Sequence, residues 1–312
     1  MKHQTFELSG DDGAKFFAQS WLPDGEVRAV VQIAHGMAEH STRYARFATF
    51  LVERGYAVYA DDHRGHGKTV SDADLGWAGL DGWNGIQSDI LTLGAHASKE
   101  QPGKEKCLFG HSMGSFATLG VMLRADRYEA YVLSGSDEPG GGLAALGKGL
   151  ARVERLRQGA RGKSAVLSKM SFGAFNDAFK PNRTEFDWLS RDAREVDAYI
   201  ADERCGHLMT NQFWVDFIDG LVATGTADWT KMPKTRPLYV FSGDHDPVGK
   251  MGKGVRALTA RLRRSGFDKL EEKLWENGRH EMLNETNRDD VMSAVAAFLD
   301  RALKESAPST RG

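Results

Sequence analysis

The sequence predicts an α/β protein, a mostly parallel sheet covered by helices on both faces. Short, nearly continuous apolar runs recur along the chain as VRAVVQIA, GYAVYA, KCLFG, AYVLSG and PLYVFSG. Runs of that kind suit strands buried on both faces. Helix-like stretches lie between them; in RYARFATFLVERG, Tyr44, Phe47, Phe50 and Leu51 repeat at helical spacing. Strands alternating with helices in this way build parallel sheets.

The elements follow in order. TFELSG and AKFFAQSWL alternate like strands around Asp11-Asp12-Gly13, and a second Asp-Gly turn follows at Pro23-Asp24-Gly25. An Asp-Gly between two such runs is a strong hairpin signal. The strand–helix alternation then continues to about Ser136. There Pro139-Gly140-Gly141-Gly142 opens a helix-rich section that ends near Lys234, where strand character resumes at Pro237-Leu238-Tyr239-Val240-Phe241. Such a section is too long for a simple connection. We therefore expect residues 1–135 and 235–312 to form one core and residues 136–234 to be an inserted helical cap. The final SAPSTRG is expected to be a solvated tail.

Composition narrows the function classes. Across 312 residues, 41 Lys and Arg face 43 Asp and Glu, a formal charge of −2. That balance gives no field suited to nucleic acid as a partner. Cys107 and Cys205 are the only cysteines, so no disulfide framework is expected and a reducing, cytoplasmic setting fits. No run of about 18 apolar residues occurs, so no membrane span is expected. The N-terminal MKHQTFELSGDDG has no apolar stretch of the signal-peptide type.

The chemistry concentrates in four places. Gly110-His111-Ser112-Met113-Gly114 stands between a strand-like run and a helix-like one. A serine on so sharp a turn is lifted above the sheet, and small flanking residues let strand and helix approach. The pentapeptide alone is weak evidence; its setting strengthens it. Asp244-His245-Asp246-Pro247 and Arg279-His280-Glu281 each follow a strand-like run, giving the chain order nucleophile, acid, base. His280 would take the proton of Ser112, and an aspartate would orient the imidazole. Asp246 is favoured because its distance past Gly243 lets the loop turn back; Asp244 is the alternative. The fourth place is His35-Gly36-Met37-Ala38-Glu39-His40 after VVQIA. Backbone N–H groups of Met37 and Met113 are the candidate oxyanion donors. His35, Gly36 and His111 are expected beside the substrate, with His35 bracing the loop.

With these residues in place, the chain resembles the α/β-hydrolases, and among them the monoacylglycerol lipase and lysophospholipase-like serine esterases. HGMAEHSTRY is similar to their HGxxEHxxRY segment, ADDHRGHG to their DxxGHG loop, GHSMGS to their serine turn and GRHEMLNE to their histidine motif. The resemblance implies an eight-stranded, mostly parallel sheet with a helical cap. It implies Ser112, Asp246 and His280 as triad, Met37 and Met113 as oxyanion donors, and one-chain acyl esters such as monoacylglycerols or lysophospholipids as substrates, with no cofactor and no metal. Met37-Ala38 stands where family members often carry smaller residues, which would narrow the acyl pocket.

Other signals are weaker. Gly65-His66-Gly67-Lys68-Thr69 ends like a phosphate loop, but Asp62 holds the place of its first glycine. His63 and His66 with Asp61 and Asp62 lack helical metal-ligand spacing. In the cap, Lys148, Arg152, Arg155, Arg157, Arg161 and Lys163 face Glu154 alone, while Leu143, Leu146, Leu150 and Val153 repeat at helical spacing. A solvated cap helix is the preferred reading, and peripheral contact with an anionic membrane is the other. Phe172, Phe175, Phe179, Trp188, Phe213, Trp214 and Phe217 are expected to pack the cap and in part to line an acyl pocket. Two other functions stay open. One is amide or thioester cleavage, aminopeptidase-like, with Asp202-Glu203 or Asp216 and Asp219 holding a substrate amine. The other is an inactive binding protein on the same fold.

Overall fold

Alternating side chains sort the central strands into two cores, one on each side of the sheet. On β5 (Lys106–His111), Cys107 and Phe109 face one core while Leu108 faces the other. This is the period of two that a pleated strand imposes. The computed structural model describes residues 1–140 and 142–306. Its eight strands are β1 (Lys2–Ser9), β2 (Lys15–Leu22), β3 (Ala29–Ala34), β4 (Tyr56–Asp61), β5, β6 (Ala130–Ser134), β7 (Leu238–Gly243) and β8 (Leu270–Trp275). They form one sheet in the order β1-β2-β4-β3-β5-β6-β7-β8. From β4 to β8 all neighbours run parallel, and only the pairs involving β2 are antiparallel. The expected eight-stranded, mostly parallel α/β-hydrolase sheet is the observed one.

The two Asp-Gly turns behave differently. The first closes a true hairpin, with Gly13 at φ +79 and Ser9 opposite Lys15. The second does not: β2 pairs with β4, and both edges of β3 are taken by β4 and β5. A buried parallel strand outbids the local turn signal, so Pro23-Asp24-Gly25 is a connection between strands that are not neighbours.

Helices α1 (Ala45–Val52) and α10 (Arg288–Ser306) cover one face through Phe47, Leu51, Val295 and Phe298. Helices α2 (Gly82–Glu100), α3 (Met113–Arg124) and α9 (Lys253–Arg264) cover the other through Ile86, Ile90, Leu119 and Leu258. Each such side chain withdrawn from water contributes roughly 1.5–3 kcal/mol before entropy is counted.

Between β6 and β7 the chain runs through α4 (Gly142–Gln158), α5 (Ala165–Ser168), α6 (Ala174–Asn176), α7 (Ala193–Ala201) and α8 (Asn211–Thr226). Ser164, Asp192 and Thr210 cap α5, α7 and α8 by accepting backbone N–H bonds. Helix α4 lies along α8, which rests on α2 and α3. The expected apolar face of α4 is buried in part, with Leu150 packed against the core. Val153 is 56% exposed and Leu156 87%, while Ala151 and Glu154 are buried. Nor does Glu154 stand alone against the basic residues. Asp219 of α8 pairs with Lys148 and Arg152, and Asp74 pairs with Arg161. Those partners come from other elements and were invisible in the local sequence. The side chains of Leu143 and Leu146, and residues 307–312 of the tail, lie outside the described residues.

The tightest packing is at the start of α3. A Cβ on Gly114 would run into the Ala34 carbonyl, and one on Gly110 into Thr118 Oγ1 and the Gly114 carbonyl. Gly114→Ala is expected to cost roughly 1–3 kcal/mol, read as a lower urea midpoint. Gly25→Ala, where nothing lies within 4 Å, should leave the midpoint unchanged.

Candidate active site

The parallel strands deliver their loops to one edge of the sheet, the C-terminal edge where ligands bind in open α/β folds. Ser112 follows β5 directly and begins α3. Its backbone sits at φ 52, ψ −119, a region that costs a non-glycine residue on the order of 1–3 kcal/mol. Its N–H donates to the Ser134 carbonyl at 2.8 Å, and its carbonyl accepts from the Ser115 N–H and hydroxyl at 2.9 and 2.6 Å. The Ser112 side chain does not cap its own helix, so Oγ is turned away from α3.

Asp246 lies past β7 and His280 past β8. His280 Nδ1 stands 3.0 Å from Asp246 Oδ1, with Asp246 0% and His280 2% exposed. The second carboxylate oxygen accepts from Ser242 Oγ at 2.6 Å, and Oδ1 also accepts from the Val248 N–H at 2.9 Å. Burial alone would raise the Asp246 pKa. The charge and hydrogen bond of His280, with Ser242 and Val248, hold it below the ordinary carboxylate value. An ionised carboxylate only accepts, so Nδ1 carries the hydrogen and Nε2 keeps its lone pair. Asp244 is not the partner: its carboxylate is 2.6 Å from His245 Nδ1 in an exposed pair.

His280 joins Ser112 through shared neighbours. The ring of His111, next to Ser112 in sequence, is 4.8 Å from the His280 ring. Gly135, at φ +59, leaves room where a Cβ would press to 2.9 Å from His280 Cε1 and 3.1 Å from His111 Cε1. Burial and the neighbouring His280 push His111 down to about 4, so it stays neutral beside the base; its Nδ1 lies 3.2 Å from Ser134 Oγ.

The loop after β3 packs against the same serine; a Cβ on Gly36 would lie 3.3 Å from Ser112 Cβ. Ala38 takes the left-handed conformation at φ 56. Its carbonyl accepts from Tyr199 Oη and the Gly206 N–H, both at 2.9 Å. Among the described residues, the N–H groups of Met37 and Met113 have no acceptor within the protein. Paired donors left open beside a serine are what a developing oxyanion requires.

The family model described as Hydrolase_4, serine aminopeptidase S33, matches residues 25–287. The chain belongs to the α/β-hydrolase family. A monoacylglycerol lipase of Mycolicibacterium smegmatis is 29% identical over 94% of this chain and 96% of that protein. A solved lipase in an open form is 30% identical, with a TM-score of 0.85 over 97% of this chain and 99% of that one. A thermostable carboxyl esterase from Bacillus coagulans, solved with glycerol, is 26% identical, with a TM-score of 0.89 over 97% and 99%.

His35 braces the loop as expected, and the Gly36 N–H is also engaged within it. His35 is fully buried, with Nδ1 2.7 Å from the Gly36 carbonyl and Nε2 accepting the His63 N–H at 2.9 Å. Both ring nitrogens are used, and burial with the nearby histidines holds it neutral. The Gly36 N–H donates to Glu39 Oε1 at 2.6 Å and is not open to a ligand. The His63 and Asp62 groups weighed for metal are likewise engaged: His63 Nδ1 is 2.7 Å from Asp61, and Asp62 accepts from Ser41 and the Lys68 N–H.

Sequence reading missed a buried charge network that joins two catalytic loops of the hydrolase. Arg43 donates to Glu39 at 2.6 Å and to both oxygens of Glu281 at 2.6 and 2.7 Å. Glu39 also accepts from Tyr44 Oη at 2.8 Å. The network therefore ties the loop bearing Met37 to the residue after His280. Burial alone would raise the Glu281 pKa, but Arg43 holds it down at about 2. The available signal was Glu39 and Arg43, opposite charges four residues apart. Ser242 gave no signal, since a strand serine names no role by itself; Trp188 was expected only among the aromatics of the insertion, and its contact with His280 was not foreseen.

Arg43→Met would leave Glu39 and Glu281 buried without their counter-ion, and a loss of about 3–5 kcal/mol is expected. Adding Glu281→Gln should restore part of it, as a double-mutant cycle in urea would measure. The pH profile follows from His280. Burial alone would lower its pKa, but the Asp246 charge and hydrogen bond, with Glu281 and Glu39, raise it. The base works unprotonated, so kcat/KM should fall as pH drops through a value above the ordinary imidazole one. Asp246→Asn should move that limb down and reduce kcat roughly 10³–10⁴-fold.

Proposed function

We propose that this hydrolase cleaves carboxylic esters of the monoacylglycerol or lysophospholipid kind through an acyl-enzyme intermediate. One observation carries the proposal: a serine on a strained turn, a buried Asp246–His280 pair and two unengaged N–H groups converge on one edge of the sheet. Ser112 Oγ attacks the ester carbonyl while His280 Nε2 takes its proton. The oxyanion rests on the Met37 and Met113 N–H groups. His280 then gives the proton to the departing alcohol oxygen, water enters, and the same groups release the acid. The step balances without a cofactor.

In this reading, residues 136–234 form a cap over the site. A cleft of ≈ 510 Å³ reaches from Ala38 into that segment, with Phe172, Phe186 and Tyr199 beside Lys169 and Asn176. Apolar walls with a few polar groups suit one acyl chain on a small polar head. The relatives named as monoacylglycerol lipases support the same class. The aminopeptidase alternative keeps Glu203, which is exposed, but its other amine-holding groups are engaged. Asp202 is bound to His40, Asp216 to Gln212 and the Gly82 N–H, and Asp219 to Lys148 and Arg152.

Membrane contact through α4 is the lesser part of the proposal. Lys148, Arg152, Arg157 and Arg161 are paired within the protein, so α4 offers a lipid surface Val153 and Leu156 more than charge. No described helix is long and apolar enough to cross a membrane. Both cysteines are unpaired, which fits a reducing, cytoplasmic location.

Ser112→Ala should fold normally, lose nearly all turnover of p-nitrophenyl esters and no longer take up a fluorophosphonate probe that labels the unaltered enzyme. Full activity in the variant, or faster cleavage of amino-acid anilides than of esters by the unaltered enzyme, would defeat the assignment.

A further inference from the structure

Three side chains of differing chemistry meet where the loop after β3 touches the turn that follows α7. His40, Asp202 and Cys205 each bring one donor atom, and the three atoms lie within 4.8 Å of one another. His40 Nε2 is 2.8 Å from Asp202 Oδ2. Among the described residues, no other group of three or more histidine, cysteine and carboxylate side chains converges in this way.

The backbone builds the arrangement. The Cys205 N–H donates to the Asp202 carbonyl at 2.9 Å, closing a tight turn that brings residues 202 and 205 together. Asp202 Oδ1 accepts from the Arg204 N–H at 2.9 Å, which fixes the carboxylate and leaves Oδ2 toward His40. Such outer bonds orient a ligating group before anything binds. The Gly206 N–H, donating to the Ala38 carbonyl at 2.9 Å, holds the His40 loop against the same turn. His40 is buried, while Asp202 and Cys205 are half-buried, so the cluster is enclosed yet open to solvent on one side. There Asp202 forms the wall of a surface hollow with Asp72 and Glu203.

Imidazole nitrogen, carboxylate oxygen and thiolate sulfur are the donors of zinc sites. A thiolate disfavours Mg²⁺ and Ca²⁺, which take oxygen ligands. We propose that His40, Asp202 and Cys205 form a binding site for a borderline divalent cation of the zinc type, with water as fourth ligand, clamping the loop that carries Met37 to the turn after α7. Tetrahedral zinc holds its nitrogen and oxygen ligands about 3.3 Å apart, so the His40–Asp202 contact opens slightly on binding. Asp202 is the partner that gives, its side chain being 35% exposed against 11% for His40. The imidazole N–H moves to Nδ1, Nε2 supplies its lone pair, and the Cys205 thiol releases its proton to solvent. Burial otherwise holds that thiol protonated, against the pull of the Arg43 charge, which is itself offset by Glu39 and Glu281. The site takes no part in the ester step. Its ligands come from segments that only folding brings together, so binding stabilises the folded chain.

The test titrates the metal-free, untagged chain with Co²⁺, whose thiolate complexes absorb in the near ultraviolet. One equivalent should bind with that band, and Zn²⁺ should displace it where excess Mg²⁺ does not. Cys107, the only other cysteine, is fully buried in β5, so the band reports Cys205. Cys205→Ser should abolish the band and weaken Zn²⁺ binding about 100-fold or more, and Asp202→Asn should weaken it at least about tenfold. Zn²⁺ should raise the urea midpoint of the unaltered chain and leave that of Cys205→Ser unchanged. Ser112→Ala should bind Co²⁺ as the unaltered chain does, which separates this site from the catalytic reading. Absence of the thiolate band, or Zn²⁺ binding undiminished in Cys205→Ser, would overturn the inference. Should Asp202→Asn not fold, Cys205→Ser decides on the same criterion.

Discussion

The close approach of α3 to the ends of β3 and β5 is the constraint on which the site depends. With no side chain at 110 or 114, the helix begins at once after the strand, against the Ala34 and His35 carbonyls. Only that proximity forces Ser112 to φ 52 and brings the Gly36 loop within van der Waals contact of its Cβ. The strain is held by ordinary bonds, the Ser112 N–H to Ser134 and the Ser112 carbonyl to Ser115, and by the two cores that fix the strands.

Charge is arranged so that the one imidazole meant to change protonation can do so. His280 is steadied by Asp246, itself kept ionised by three donors, while His111 and His35 are kept neutral by burial. A second positive charge near Ser112 would oppose imidazolium formation at His280; the low His111 pKa removes that competition. The carboxylates of Glu39 and Glu281 are neutralised by Arg43 and still add negative potential at His280. Because Arg43 holds Glu281 bidentately and Glu39 by one bond, the loop after β3 and the loop bearing His280 share one reference.

Much of this was legible because it is written in local grammar. The parallel core shows as continuous apolar runs, and the Asp246–His280 pair as two strand-end loops that the structure brings together. The aspartate alternative was decided by burial, which a sequence does not display: Asp244 pairs with its neighbour at the surface, whereas Asp246 is enclosed. The misreadings share a cause. The turn at Pro23-Asp24-Gly25 was judged from its own residues, although the pairing of β3 is decided by β4 and β5. The basic residues of α4 were judged against Glu154, although Asp219 and Asp74 arrive from elsewhere in the fold. His35 braces its loop as its motif suggested, while the partners of its ring and of the Gly36 N–H, the His63 loop and Glu39, come from the fold.

The insertion between β6 and β7 divides by what it touches. Its outer helix α4 contacts α8 and solvent and leaves Leu156 and Val153 bare. The stretch from Asp187 to Gly206 is built into the catalytic loops. Its carbonyls at Trp188 and Leu189 take the N–H groups of His280 and Glu281, and Tyr199 and Gly206 take the Ala38 carbonyl. Arg43 lies 4.8 Å over the Tyr199 ring, so the same stretch also covers the charge network. A segment with bonds on both sides of the nucleophile cannot swing away without releasing the base and the oxyanion loop together. The cleft beside Phe172 and Lys169 is lined from both parts of the insertion, with Tyr199 and Gly206 contributed by the bonded stretch.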